Sequence, residues 1–384
     1  MVLQSLRIVS FRAHHETRVE LAPGVNVFYG PNGAGKTNIL EAIHYLCLTK
    51  SFLATQDTYA LQTGAAFFEV EGLFSGSQRS HVRARMVFSA GEGKRAFVNG
   101  APLERLSEIA GQFPVVVAAP GDHALTSEGP EVRRRFMDNI LSQARPVYLN
   151  DLLNYRRALK QRNGLLQRYR RGAMPAGLLA SWDAELVQLG SRVIFGRLRF
   201  IRAFTSFMEE AYTLIEAVGE RPEVHYETIA QMETVGGVDE IATLFAEKLD
   251  RASHRERELG RTLAGPHHDE LVFRLNDFEV RRYASQGQHR LFGLALRLAQ
   301  YFYLKQQLGE EPILLLDDLF GSLDGRRTDI VLNLLTDGAV GQSIITATGE
   351  APFTDRVPFH LPAHRIQYVE QGRVWPRSEP MVRL

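Results

Sequence analysis

Cysteine is all but absent. Cys47 stands alone in 384 residues, which excludes an internal disulfide framework and suits a reducing compartment. Long apolar runs are missing too. None approaches the roughly 18 residues a membrane-crossing helix needs. The opening segment, MVLQSLRIVSFR, alternates apolar and polar residues where a secretory leader would carry an apolar block. A soluble, cytoplasmic protein is therefore expected. A strong net charge is also lacking: the total is only +1, so the sum neither demands nor excludes a polyanionic partner. There is no internal repeat, no low-complexity tract, and no heptad pattern long enough for an extended coiled coil. What is present suits a globular protein, and the length exceeds what one core usually supports, so two lobes are expected.

Positions 29–38 read YGPNGAGKTN. Gly30-Pro31-Asn32-Gly33-Ala34-Gly35-Lys36-Thr37 satisfies G-x-x-x-x-G-K-[ST] at every fixed position, the spacing of a phosphate-binding P-loop. Glycines let the chain curl so that successive N–H groups face one anion. Lys36 reaches the β- and γ-phosphates, and Thr37 offers a hydroxyl to Mg²⁺. The context fits. Val25–Tyr29 reads as a strand, and Thr37 to about Leu48 reads as a helix, with Ile39, Leu40, Ile43 and Leu46 at helical spacing. Cys47 falls on that helix among apolar neighbours, which points to a packed thiol rather than a reactive one.

The rest of the chain divides into three parts. Residues 1–130 carry the P-loop, a strand at 3–11, short alternating segments over 67–103 with an Asn99-Gly100 turn signal, and the apolar run FPVVVAA at 113–119. Residues 131–260 read as an inserted, mostly helical lobe. Between Glu131 and Arg202 stand 15 Lys/Arg against 5 Asp/Glu, a local charge of +10. Residues 261–384 return to an α/β pattern, with strands expected at 271–275, 278–280, 312–318 and 343–347. The fold class expected is α/β, a P-loop ATPase head of mixed sheet with an antiparallel subdomain and a helical insertion.

Ile313-Leu314-Leu315-Leu316-Asp317-Asp318 has the form of a Walker B strand, with acids at the carboxyl end where ligands bind. Asp317 would hold Mg²⁺. Asp318, with Lys36, would serve catalysis by orienting or deprotonating the attacking water. Upstream, Ser285-Gln286-Gly287-Gln288 opens an amphipathic helix. A hydroxyl, a bare glycine and a helix N-terminus make an anion site. Because the chain already has a P-loop, a second phosphate site implies the nucleotide of another subunit. The arrangement resembles the signature motif of ABC-type ATPases, whose heads pair head to tail around two ATP molecules. Ser285, Gly287 and Gln288 would then act in trans. Ser322 and Asp324 resemble that class's D-loop. Thr346-Ala347-Thr348 stands where such proteins carry a switch histidine, and no Q-loop glutamine is evident.

An ABC-type head drives transport, acts on DNA, or uses ATP only as a scaffold ligand. The basic lobe and the missing Q-loop weigh against transport. The motifs, taken in order, resemble the RecF family of bacterial DNA replication and repair proteins. They are the opening LRIVSFR with VNVFYGPNGAGKTNILEAIHYL, TKSF at 49–52, EGPEVRRRFMDN at 128–139, LKQRNGLL at 159–166, GPHHDEL at 265–271, ASQGQ and LLLDDLFGSLD. That resemblance implies an ATP-induced homodimer that binds gapped or junction DNA without sequence specificity and hydrolyses ATP weakly. It also implies action with RecR and RecO to load the recombinase RecA, and a link to the SOS response. Arg133, Arg134, Arg135, Arg156, Arg157 and Lys160 are the candidate DNA-phosphate contacts. The pairs His14-His15 and His267-His268 do not suggest metal, because adjacent residues on a strand face opposite ways. His267 is placed near the ATP interface without a role.

Overall fold

The computed structural model describes residues 1–77, 79–170, 174–215, 219–230 and 235–377. The chain forms two compact units. The first comprises Met1–Asp122, Thr213–Ala217 and Gly293–Leu384, and the second His123–Tyr212 and Val218–Phe292.

The first unit holds two six-stranded sheets. One is antiparallel and runs His14–Glu20, Val2–Phe11, Phe67–Ser75, Val82–Ser89, Gly93–Val98, Ala101–Pro102. Its strands alternate: every second side chain of Phe67–Ser75 is buried, as one covered face requires. Asn99 and Gly100 make a two-residue turn with both φ angles positive, at 51° and 83°, the geometry that favours Asn-Gly in hairpins. The second sheet runs Arg373–Pro376, Arg365–Glu370, Val25–Tyr29, Ser343–Ala347, Ile313–Leu316, Val115–Ala118. All of its pairs are parallel except the edge pair of Arg373–Pro376 with Arg365–Glu370. Val115–Ala118, Ile313–Leu316 and Ser343–Ala347 are buried at every position, and the first two are apolar throughout.

Helix Lys36–Leu48 joins the two sheets through one core. Ile39, Ile43 and Leu46 lie in a cluster with Leu3, Ile8 and Phe68 from the antiparallel sheet and with Val115, Ile313 and Ile344 from the parallel one. Each fully buried large aliphatic chain contributes about 1.5–3 kcal/mol, so the helix carrying the P-loop lysine is firmly seated. Cys47 is completely buried here, and burial pushes its thiol pKa up.

The second unit is mainly helical. Pro130–Ala144 and Pro146–Arg168 each begin with proline at the first helical position, where its missing N–H costs nothing. Ala180–Ile215 runs for 36 residues. Val238–Leu259 ends at Gly260, whose φ of 69° closes the helix in the left-handed manner. A three-stranded antiparallel sheet, Phe278–Glu279, Glu270–Leu275, Pro222–Glu227, completes the unit. Strand Pro222–Glu227 lies within the insertion expected to be mostly helical. It forms because Glu270–Leu275, distant in sequence, supplies its ladder partners. Val280, read as strand, instead opens the short helix Val280–Tyr283.

Candidate functional site

The P-loop leaves the carboxyl end of Val25–Tyr29, a central strand of the parallel sheet. Three of its residues have positive φ: Gly30 at 154°, Gly33 at 78° and Gly35 at 102°. A side chain at Gly30 would strike the carbonyl oxygen of Val369 at 2.1 Å, so this glycine also permits close approach to the neighbouring strand. Gly35 precedes Lys36, the first residue of the helix. The first-turn N–H groups lack intrahelical acceptors and carry the positive end of the helix dipole. Lys36 Nζ spans the loop, donating to Gly30 O and Pro31 O at 2.8 Å each. Burial lowers its pKa, while Asp318 and then Asp317 pull it back up.

Asp317 follows strand Ile313–Leu316 and is buried. Its Oδ1 accepts two hydroxyl hydrogen bonds, one from Thr37 at 2.7 Å and one from Thr346 at 2.7 Å. The Thr346 hydroxyl in turn accepts the main-chain N–H of Asp318 at 2.9 Å. Asp318 adopts φ 45°, a left-handed conformation that costs a non-glycine residue about 1–3 kcal/mol. The Thr346 bond holds that residue in place, so the position lacking a histidine is occupied by a threonine that ties both acids together. The oxygen-rich pairing of Thr37 with Asp317, beside a glycine cradle and a lysine, fits a nucleotide phosphate with Mg²⁺, which prefers oxygen ligands.

The loop is braced from below by His14, a residue whose role sequence reasoning did not reach. It is completely buried. Its Nε2 lies 3.0 Å from Gly35 O, and its Nδ1 lies 2.9 Å from both Gly372 O and Thr17 Oγ1. Burial lowers its pKa. Gly372 N adds a bond to Ala34 O at 2.9 Å, so the turn after Arg365–Glu370 fixes the loop too. Ser322 and Asp324 have local partners. Ser322 Oγ donates to Leu319 O, and Asp324 caps helix Gly325–Thr336 by accepting from Arg327 N at 2.9 Å. That bond, the leading cause, lowers the Asp324 pKa.

The remaining expected residues lie in the second unit. Ser285 and Gln288 form a reciprocal box at the start of helix Gln286–Leu308. Gln288 N donates to Ser285 Oγ at 3.3 Å, and Ser285 N donates to Gln288 Oε1 at 2.9 Å. Gln288 Nε2 donates to Glu220 Oε1 at 2.9 Å. The Gln288 side chain, expected to act on a partner's nucleotide, is thus engaged within its own unit, while Ser285 and Gly287 are exposed.

The six basic candidates separate. Arg133 is only 3% exposed and pairs with Glu270 at 2.8 Å, also donating to Glu128 O. The expectation that it meets DNA is corrected by this burial: a phosphate cannot reach it in this conformation. Arg134 donates to Asp269 O at 2.6 Å, and Arg135 pairs with Glu131 on the same helix. Arg156 bonds Asp138 at 3.0 Å. Arg157 and Lys160 are exposed on helix Pro146–Arg168. His267 is paired internally, with Tyr155 Oη 2.6 Å from its Nδ1. Burial, followed by the neighbouring His268, depresses its pKa to about 3.

Comparison with known proteins gives a consistent picture. The RecF/RecN/SMC N terminal domain model matches residues 2–357. The chain is 52% identical over 374 residues to the DNA replication and repair protein RecF of Salinibacter ruber (strain DSM 13855 / M31), covering 97% of this chain and 91% of that protein. It is 42% identical over 356 residues to the RecF of Chloroherpeton thalassium (strain ATCC 35110 / GB-78), covering 92% and 97%. A solved structure of the recombination mediator protein RecF-ATP of the RecFOR pathway aligns with a TM-score of 0.90 at 28% identity, covering 98% of this chain and 97% of that one. An Smc head bound to the C-winged helix domain of ScpA, at 14% identity and a TM-score of 0.57, shares the fold of an ABC-type ATPase head and covers 100% of this chain and 98% of its own. The likeness takes in the P-loop, the Walker B strand and the helical insertion alike, and the chain belongs to the RecF family of DNA replication and repair proteins.

Proposed function

We propose that this chain is an ATP-dependent DNA-binding protein of recombinational repair and replication. ATP brings two copies together head to tail, the dimer binds DNA at gaps or junctions, and weak, DNA-stimulated hydrolysis resets it. Its partners on this reading are RecR and RecO, with loading of RecA as the outcome, and its place of work is the cytoplasm, where the DNA is. The observation that carries the ATP part is the 2.7 Å contact between the Thr37 hydroxyl and the Asp317 carboxylate beside the glycine cradle.

Gly30 to Thr37 would hold the phosphates, with Lys36 balancing their charge. Thr37 and Asp317 would hold Mg²⁺, which when bound screens the phosphate oxygens and polarises the phosphoryl group. Asp318 would orient the attacking water and accept its proton. Its exposed carboxylate and the bond from its own N–H to Thr346 support that role. Ser285 and the N–H groups at the start of helix Gln286–Leu308 would meet the nucleotide of the second copy. Arg157 and Lys160 supply exposed positive charge for DNA phosphates.

Sedimentation with and without ATP, combined with a phosphate-release assay, tests this reading. Ser285→Arg should bind ATP normally, stay monomeric and lose hydrolysis. Asp318→Asn should accumulate as an ATP-bound dimer, and Lys36→Met should fail to bind ATP at all. A Ser285→Arg protein that still dimerises would end the two-headed mechanism. Wild-type protein that binds ATP and DNA but releases no phosphate would make it a scaffold.

A further inference from the structure

We infer that Glu220 is a positioning residue for the phosphate-gripping serine at the start of helix Gln286–Leu308, acting through Gln288 and itself held by Tyr212. This inference rests on the proposed head-to-tail reading and names a further residue that the reading requires.

The Gln288 amide is held at both ends. One end of it, Oε1, accepts the Ser285 main-chain N–H at 2.9 Å, and the other end, Nε2, donates to Glu220 Oε1 at 2.9 Å. An amide can be turned about, exchanging oxygen and nitrogen. Glu220 removes that freedom, because a carboxylate only accepts and so only the Nε2 end can face it. The Oε1 end is thereby directed at Ser285 N. The second Glu220 oxygen accepts from Tyr212 Oη at 2.5 Å, which fixes the carboxylate in turn. Tyr212 is itself buried in the closing turns of helix Ala180–Ile215.

The consequence falls on Ser285. Its hydroxyl oxygen already accepts from Gln288 N at 3.3 Å, which leaves the hydroxyl proton available to an outside acceptor. A phosphate oxygen is such an acceptor, and the adjoining first-turn N–H groups favour an anion there. Without Glu220 the amide is released, the box opens, and the serine loses its fixed orientation. His289 anchors the next residue from the other side, its Nδ1 lying 2.8 Å from Thr126 Oγ1. Among the described residues, Glu220 and Thr126 both hold the helix start, and Glu220 is the one that bonds a member of the box.

A competing effect is plain repulsion: a carboxylate close to an anion site disfavours the anion. The two effects predict opposite signs, so substitution separates them. Glu220→Ala removes both the acceptor and the charge. Glu220→Gln removes the charge and keeps an acceptor for Gln288 Nε2. ATP-induced dimerisation would be measured by sedimentation with ATP and Mg²⁺, alongside ATP affinity of the monomer and thermal melting. Glu220→Ala should weaken dimerisation about tenfold or more, the usual size of a lost charge-assisted bond, with monomer ATP affinity unchanged. Glu220→Gln should restore most of it. Stronger dimerisation in both variants would overturn the inference in favour of repulsion. Unchanged dimerisation in Glu220→Ala would overturn it outright. If Glu220→Ala does not fold, Tyr212→Phe decides, since it frees one carboxylate oxygen and should weaken dimerisation severalfold, and no change there would count against the inference. Failure of wild-type protein to dimerise with ATP would instead refute the head-to-tail reading itself.

Discussion

Replacing Thr346 with valine isolates the clamp on the two Walker B acids. Valine keeps the branched shape and removes only the hydroxyl, so steric disturbance is small. Two bonds disappear. The first is donated to the buried carboxylate of Asp317 at 2.7 Å, and bonds to charged groups contribute about 1.5–3 kcal/mol. The second is accepted from Asp318 N at 2.9 Å, and an unpaired N–H costs about 1–3 kcal/mol where water cannot replace the partner. Asp318 is exposed, so water recovers part of that second cost. The bonds share one oxygen and do not add in full. A net loss of about 2–4 kcal/mol in unfolding free energy is expected. At roughly 2–4 °C per kcal/mol for a unit of this size, the melting temperature should fall on the order of 10 °C. Hydrolysis should fall more than ATP affinity, because Lys36 and the glycine cradle are untouched while Asp318 is released from its left-handed conformation. Thr346→Ser should recover both properties. Differential scanning calorimetry and steady-state phosphate release would measure them. A valine variant melting within about a degree of the wild type, with unchanged turnover, would refute the reasoning.

Two further outcomes are expected. Arg133→Ala strands the partly buried carboxylate of Glu270 and should lower stability by about 3–5 kcal/mol without changing the salt dependence of DNA binding, whereas Arg157→Ala with Lys160→Ala should leave melting alone and flatten the slope of log affinity against log salt; denaturant titration and fluorescence anisotropy at several salt concentrations distinguish the two. His267, neutral in the fold with its pKa depressed to about 3, contributes stability that is fully present above its ordinary pKa near 6.5 and is lost as pH falls from there toward 3; urea midpoints at pH 7.5 and 5.5 should converge in His267→Asn relative to wild type, and an unaltered difference would count against this account.

Much of the candidate nucleotide site was legible because the chemistry proposed for it constrains residue type at fixed spacing. Curling the chain around a phosphate needs backbone angles that few residues tolerate, and Gly30, Gly33 and Gly35 do take positive φ. The strands of the parallel sheet were legible for a related reason: burial on both faces demands unbroken apolar runs such as Ile313–Leu316. Other elements left weak traces. His14–Glu20 is a strand whose buried positions are His14, Thr17 and Val19, so two of its three inward residues are polar and the alternation is masked. Pro222–Glu227 is short, and its partner is far along the chain. In the sequence Thr346 stands out only for the histidine it is not. Its role depends on a neighbouring strand that brings Asp317 within 2.7 Å, and nothing local in TAT records that distance.

The charge run between Glu131 and Arg202 shows why composition alone misleads about function. Its excess of ten positive charges reads as one basic surface, yet among the described residues three of its arginines are almost wholly buried. Arg133 pairs with Glu270. Arg162 pairs with Asp183 and Glu256. Arg197 bonds Asp138 at 2.9 Å, lies 3.5 Å from Asp269, and donates to Pro266 O. Removing one member of such a buried pair leaves an uncompensated charge, so these arginines organise the second unit rather than meet a ligand. Two of the motifs that carry the family resemblance converge on them. Arg133 and Asp138 come from EGPEVRRRFMDN, and Asp269 and Glu270 come from GPHHDEL. A motif rich in arginine and acid is therefore, in this unit, first a folding device. The charge left for DNA phosphates is smaller than the composition suggests and lies on exposed positions such as Arg157 and Lys160, so the number of counterions released on binding should follow those exposed residues and not the total.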